Sequence, residues 1–190
     1  MMPRLKALIL RVLDEHRVMT IATNRPDGWP QATIVGYVND GFMLYSFVAR
    51  DTQKFANIKR DPRISAAIGS DAPSPADIRG LSLAGHAAEV IDRAEYEDVA
   101  KLRLKRFPEY ASVPLLKGED GQPYRIAAVP PRDSVALLRI APDIISVLDY
   151  SKGFGHSEVV TFSERDLDVH VASHNHRWNG PTEPNARKRP

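Results

Sequence analysis

Apolar residues near the start of the chain recur at helical spacing. Leu5, Leu8, Ile9, Val12 and Leu13 fall at i, i+3, i+4, i+7 and i+8. Pro3 to His16 therefore reads as an amphipathic helix whose stripe packs on its own domain. From Val18 the period shortens. Val18 to Thr23 is a β-rich run, closed by the turn cluster Asn24-Arg25-Pro26-Asp27-Gly28. Gln31 to Val38 reads as a second strand and Phe42 to Phe47 as a third. Between them Asn39-Asp40-Gly41 tolerates the positive φ angles of a tight hairpin. Three strands joined by short turns make an antiparallel meander.

Asp51-Thr52 can start a short helix through Lys59, with Phe55 and Ile58 on one face. Pro62 limits it, because the residue before a proline is biased away from the helical region. Arg63 to Gly69 is a fourth strand, and Ser70 to Arg79, with Pro73 and Pro75, a loop. Leu81 to Ile91 is a fifth strand. Gly85 inside it marks a bulge or the close approach of another group. A second long helix runs from Asp92 to Phe107, with Asp92 and Glu95 at capping-box spacing. Glu109 to Asp133 is loop-rich. Ser134 to Ile140 and Ile144 to Asp149 read as two closing strands separated by Ala141-Pro142-Asp143.

The apolar pattern fades after Phe162. The chain divides into a folded domain over 1–162 and a polar C-terminal extension over 163–190. Strand and helix do not alternate as a doubly wound parallel sheet requires. The expected fold is mainly β: an antiparallel barrel, closed or partly closed, with peripheral helices.

Composition narrows the function classes. The chain has 190 residues, 43% of them hydrophobic, so it can bury a core unaided. It has no cysteine, which excludes disulfides, thiolate metal sites and a cysteine nucleophile. The net charge is +2, and much of the excess sits in Arg187, Lys188 and Arg189, so no broad nucleic-acid surface is expected. Leu8-Ile9-Leu10 is followed at once by Arg11, unlike a signal peptide. No uncharged run approaches the ~20 residues of a membrane span. A soluble, cytoplasmic protein is expected.

The segment from Phe42 to Ser65 carries the most chemistry. Tyr45 and Ser46 end a strand, and Thr52 and Lys54 begin the next helix. A helix start offers free backbone N–H groups and a partial positive charge, so it attracts anions. Two hydroxyls, Lys54 and Arg50 add the donors a phosphate needs. The same residues also suit a plain cap and a solvated surface charge.

The order of these residues resembles the flavin-phosphate pattern of the pyridoxamine-phosphate-oxidase-like split barrels: apolar-Tyr-Ser, a gap, Thr-x-Lys, Asn57, then Asp61-Pro62-Arg63-Ile64-Ser65. Gly28-Trp29-Pro30-Gln31 and Leu83-Ala84-Gly85-His86-Ala87 are similar as well. The resemblance covers about residues 5 to 150. It implies an FMN-binding split β-barrel that works as a homodimer, with the flavin between subunits. Tyr45 and Ser46 then lie against the ribityl-phosphate. Thr52, Gln53 and Lys54 form the phosphate clamp. The backbone of Gln31, Ala32, Thr33, Ile34, Val35 and Gly36 lines the flavin ring. Two departures are plain. Gln31, Gly36 and Gln53 stand where oxidase members carry cations, and Arg50 is the candidate replacement. The C-terminal segment that holds a pyridoxal substrate has no clear counterpart, so a true vitamin B6 oxidase is not expected.

The implied activity is hydride transfer through FMN to a small molecule, with NAD(P)H a possible electron donor. The alternatives are a non-catalytic flavin or haem binder and a deazaflavin (F420)-dependent reductase. No catalytic acid or base can be named, and no nucleophile elbow or nucleotide-binding glycine motif is present. His170, His174 and His176 have a spacing that could hold a metal, although a polar tail is the commoner setting. The Asp149 to His156 loop, with its two glycines and aromatics, is a further candidate for a ligand edge.

Overall fold

The computed structural model describes residues 3–69, 72–111, 116–117, 123–124, 129–162 and 172–174. Its centre is an antiparallel sheet curled into a split barrel. β1 (Val18–Asn24) pairs with β2 (Pro30–Gly36) on one side and β5 (Arg63–Gly69) on the other. β5 pairs with β6 (Arg79–Glu89), and β6 with β9 (Val135–Asp149). β9 is one strand of 15 residues with two partners along its far edge. Its first half pairs with β4 (Met43–Ala49), from Ala49↔Val135 to Leu44↔Ile140. Its second half pairs with β10 (Ser157–Thr161), which carries β11 (Ala172–His174). The sheet splits where β9 changes partner.

β9 corrects the expectation of two closing strands. Pro142 looked like a breaker, because it gives no N–H to a ladder. It sits instead at an irregularity, opposite Gly85, where the β6 register shifts. A Cβ on Gly85 would lie 2.2 Å from the Ala141 carbonyl oxygen, so the close approach needs glycine. The second strand is also shorter than expected. β2 stops at Gly36, and β3 (Val38–Asp40) is a separate strand paired with β4 about Gly41, whose φ is +56°.

α1 (Pro3–Glu15) closes one end of the barrel. Leu5, Ile9, Val12 and Leu13 are buried in the same core cluster as Met19, Ile21, Leu44 and Ile140. Each such side chain contributes roughly 1.5–3 kcal/mol by leaving water. α3 (Arg93–Arg106) lies outside β4, where Tyr96 and Val99 pack with Val38, Val90 and Leu137. β7 (Leu116–Lys117) and β8 (Pro123–Tyr124) form a small separate ribbon. Among the described residues no helix is long and apolar enough to cross a membrane.

The outward face of β2, β1, β5, β6 and β9 is covered by no described element of this chain. It is built mainly of small residues, with Ile34 75% exposed and Val18 49% exposed, and it carries Arg63, His86 and Asp143 at its Asn24–Pro30 end. The period-2 alternation of each strand puts the core on one side and these residues on the other.

Candidate functional site

α2 (Gln53–Arg60) follows β4 directly and buries Phe55, Asn57 and Ile58. Asp61 ends it, its N–H bonded to the Asn57 carbonyl, before Pro62. Thr52 has the extended backbone of an N-cap but its side chain does not cap the helix. Its hydroxyl donates to the Ala49 carbonyl at 2.7 Å. No acidic residue occupies the first turn. The helix start therefore presents uncompensated N–H groups and positive partial charge. Lys54, half-buried beside it, has no hydrogen-bond or ion-pair partner among the described residues.

The other expected donors are placed differently. Tyr45 and Ser46 are neighbours on a strand and so point to opposite faces. Ser46 is 1% exposed and donates to the Gly36 carbonyl at 2.8 Å, tying β4 to β2 across the split. Tyr45 faces α3 and donates to Glu95 Oε1 at 3.3 Å, a carboxylate that also receives Arg139 Nη1 at 3.1 Å. Burial, then the Glu95 charge, pushes the Tyr45 hydroxyl up to about 12. Glu95 thus serves Tyr45 and Arg139, while Asp92 alone caps α3 through the Ala94 N–H.

Arg50 is engaged as well. Its Nη2 lies 2.6 Å from Glu89 Oε1, its Nε donates to the Arg132 carbonyl at 2.8 Å, and its guanidinium sits over the Phe55 ring. Burial raises the Glu89 carboxyl. The Arg50 hydrogen bond and charge, with Lys59 behind, outweigh this and hold it below the usual carboxylate range.

The glutamines that stand in for cations are linked through Asn57. Gln53 Nε2 donates to Asn57 Oδ1 at 2.8 Å, and Asn57 Nδ2 donates to Gln31 Oε1 and Thr23 Oγ1, both at 3.0 Å. Gln31, Thr33 and Val35 face inward on β2; Ala32, Ile34 and Gly36 face outward. Thr33 Oγ1 is buried without a partner among the described residues. β2 pairs only with β1 in the sheet, so its other edge carries ladder groups that a ligand can use. The backbone N–H groups at the α2 start and Lys54 supply donors of the kind one phosphate needs. They do not form a preset multi-cation clamp.

Two further groups emerge from the fold. His86 on β6 meets Asp143 on β9, with Nδ1 to Oδ2 at 2.8 Å, a pair that the bulge creates and local sequence does not signal. In the Asp149–His156 loop, Phe154 is 93% exposed beside Tyr150, and Gly153 and Gly155 have positive φ. His170 and His176 lie outside the described residues, and His174 falls on β11. Among the described residues no three metal-ligating side chains converge.

Residues 5–146 match the family model described as pyridoxamine 5'-phosphate oxidase. General stress protein 26 of Bacillus subtilis (strain 168) is 27% identical over 93 residues, 47% of this chain and 66% of that protein, just under two thirds of its length. A haem-binding protein from Mycobacterium smegmatis superposes with a TM-score of 0.62 at 19% identity, over 82% of this chain and 57% of that one. An F420 reductase superposes with a TM-score of 0.50 at 23% identity, over 72% of this chain and 94% of that one. At these identities the structural likeness establishes the fold.

Proposed function

This chain belongs to the pyridoxamine 5'-phosphate oxidase family, and we propose that it binds a flavin-type cofactor, FMN first, and uses it for redox chemistry on a small molecule. The observation that carries this reading is the α2 start: no side-chain cap, no first-turn acid, and Lys54 without a described partner. When bound, the flavin supplies hydride acceptance and donation. The chain's residues bind and orient. Lys54 and the Gln53 and Lys54 amides hold the phosphate, and the free edge of β2, from Gln31 to Gly36, takes the ring. Tyr45, Ser46 and Arg50 act indirectly, by fixing β4 and the approach to α2.

A second copy of this chain is the proposed partner. Val18, Ile34 and Ile144 are exposed among small residues on the outward face of the sheet, an apolar area a partner would cover away from the charged Asn24–Pro30 end. The reaction runs in the cytoplasm, with NAD(P)H as the electron donor. Gln31 and Gln53 carry no charge, which favours reading the same test for F420 and for haem, ligands carried by barrels of this fold. The purified protein is examined for its visible spectrum, and any released cofactor is identified by mass. Flavin bands with released FMN support the reading. A Soret band, or a colourless protein that takes up no FMN on reconstitution, contradicts it.

A further inference from the structure

The outward face of β5, β6 and β9 carries a row of charged side chains that the cofactor reading leaves unused. Arg63 and His86 are register partners on neighbouring strands, and both occupy outward positions. Each is held from one side by a carboxylate. Asp61 takes Arg63 Nε and Nη2 at 2.9 and 2.7 Å, and Asn24 Nδ2 braces the same carboxylate at 3.1 Å. The hydrogen bonds from Arg63 and Asn24 hold the Asp61 carboxyl far below the usual range. On the other side Asp143 faces His86 Nδ1. The bulge at Gly85 sets the Asp143 backbone, and its carbonyl accepts the Phe162 N–H at 2.8 Å.

These groups border one open cavity of ≈ 350 Å³. Asn24, Arg63, Ser65, His86 and Asp143 supply its polar lining, and Pro30 an apolar wall. The volume is at the low end for small-molecule sites, enough for a metabolite. Arg63 has Nε and Nη2 committed to Asp61, which leaves Nη1 for a ligand. His86 has Nδ1 committed to Asp143, which leaves Nε2. Two nitrogen-bearing side chains, each held from behind by a carboxylate and both lining one cavity, form an arrangement that can recognise an oxyanion when both donate.

We propose that this cavity binds a small organic anion, a carboxylate or a phosphate monoester, between Arg63 Nη1 and His86 Nε2. In the bound state His86 donates from both ring nitrogens, Nδ1–H to Asp143 and Nε2–H to the anion. Arg63 and Asp143 are the charged groups facing that ring. Asn24 and Ser65 supply neutral hydrogen bonds to the rest of the ligand. This site lies beyond the α2 start, at the Asn24–Pro30 end of the face whose apolar part is proposed to meet a second copy, and does not depend on the cofactor reading.

The test follows the imidazole resonances of the labelled full-length protein while inorganic phosphate and succinate are titrated separately. The His86 signal is assigned by its loss in His86→Gln. A saturable shift with at least one probe is expected, and the responding probe distinguishes phosphate from carboxylate. Arg63→Gln, at an exposed position that does not threaten folding, should weaken binding at least tenfold. Lys54→Ala should leave it within twofold. A shift that never saturates, or that survives Arg63→Gln, means an adventitious ion only and overturns the proposal. A shift abolished by Lys54→Ala places the anion at the α2 start, which also overturns it while leaving the cofactor reading standing.

Discussion

The two ends of the β4–α2 connection carry similar donors in opposite states. At the β4 end, Arg50 is consumed by Glu89 and the Arg132 carbonyl, and Ser46 by the Gly36 carbonyl. At the α2 start, Lys54 and the first amides have no side-chain partner. Residue type alone does not separate the two. A cation already paired with a largely buried carboxylate is part of the fold, and removing it leaves that carboxylate uncompensated. A cation beside an uncapped helix start has its charge available for a ligand. The comparison also explains how the site tolerates Gln31 and Gln53. The amides satisfy each other through Asn57, so they stabilise the α2–β1–β2 junction and add no charge.

Substitutions can break this contrast, and the largest effect should come from the buried side. Asn57→Ala removes a 0% exposed amide and orphans partners on three elements. Urea denaturation should show a loss of about 2–3 kcal/mol. A loss under about 0.5 kcal/mol would mean that the amide network is incidental. At the α2 start, Lys54→Ala should leave stability within about 0.5 kcal/mol and weaken FMN by about 1.5 kcal/mol, roughly tenfold. Calorimetric titration beside a urea curve separates the two numbers.

A smaller effect is expected from pH. The Glu89 carboxyl is depressed in the folded state. Its contribution is present above the ordinary glutamate range near ~4.3 and is lost as pH falls through the lower folded value. The parent protein should lose about 1 kcal/mol more stability than Glu89→Gln between neutral pH and the acid side of that window. Parallel curves for the two proteins would show that the Arg50–Glu89 pair does not contribute to stability.

Local features of this fold are legible in the sequence because their causes are local. The α1 stripe, the Asp40-Gly41 turn and the glycine at the β6 bulge each follow from a few adjacent residues. The partner change of β9 does not, because it depends on β4 and β10, which arrive from distant parts of the chain. The candidate site divides the same way. The helix start at Thr52 and Lys54 is visible in the residue order. That Tyr45 and Ser46 oppose each other follows from strand alternation, which the family pattern obscures. The Asn57 network and the His86–Asp143 pair depend on long-range register, and nothing beside those residues announces them.

The central claim is that the α2 start holds a cofactor phosphate. The most direct test compares the affinities of FMN and riboflavin, which differ by that phosphate, for the parent protein and for Lys54→Ala. The account predicts that the parent binds FMN at least ~10-fold more tightly than riboflavin. In Lys54→Ala most of that preference should disappear while riboflavin affinity is unchanged. Equal affinity for the two ligands in the parent protein, or a preference that survives Lys54→Ala intact, would contradict it.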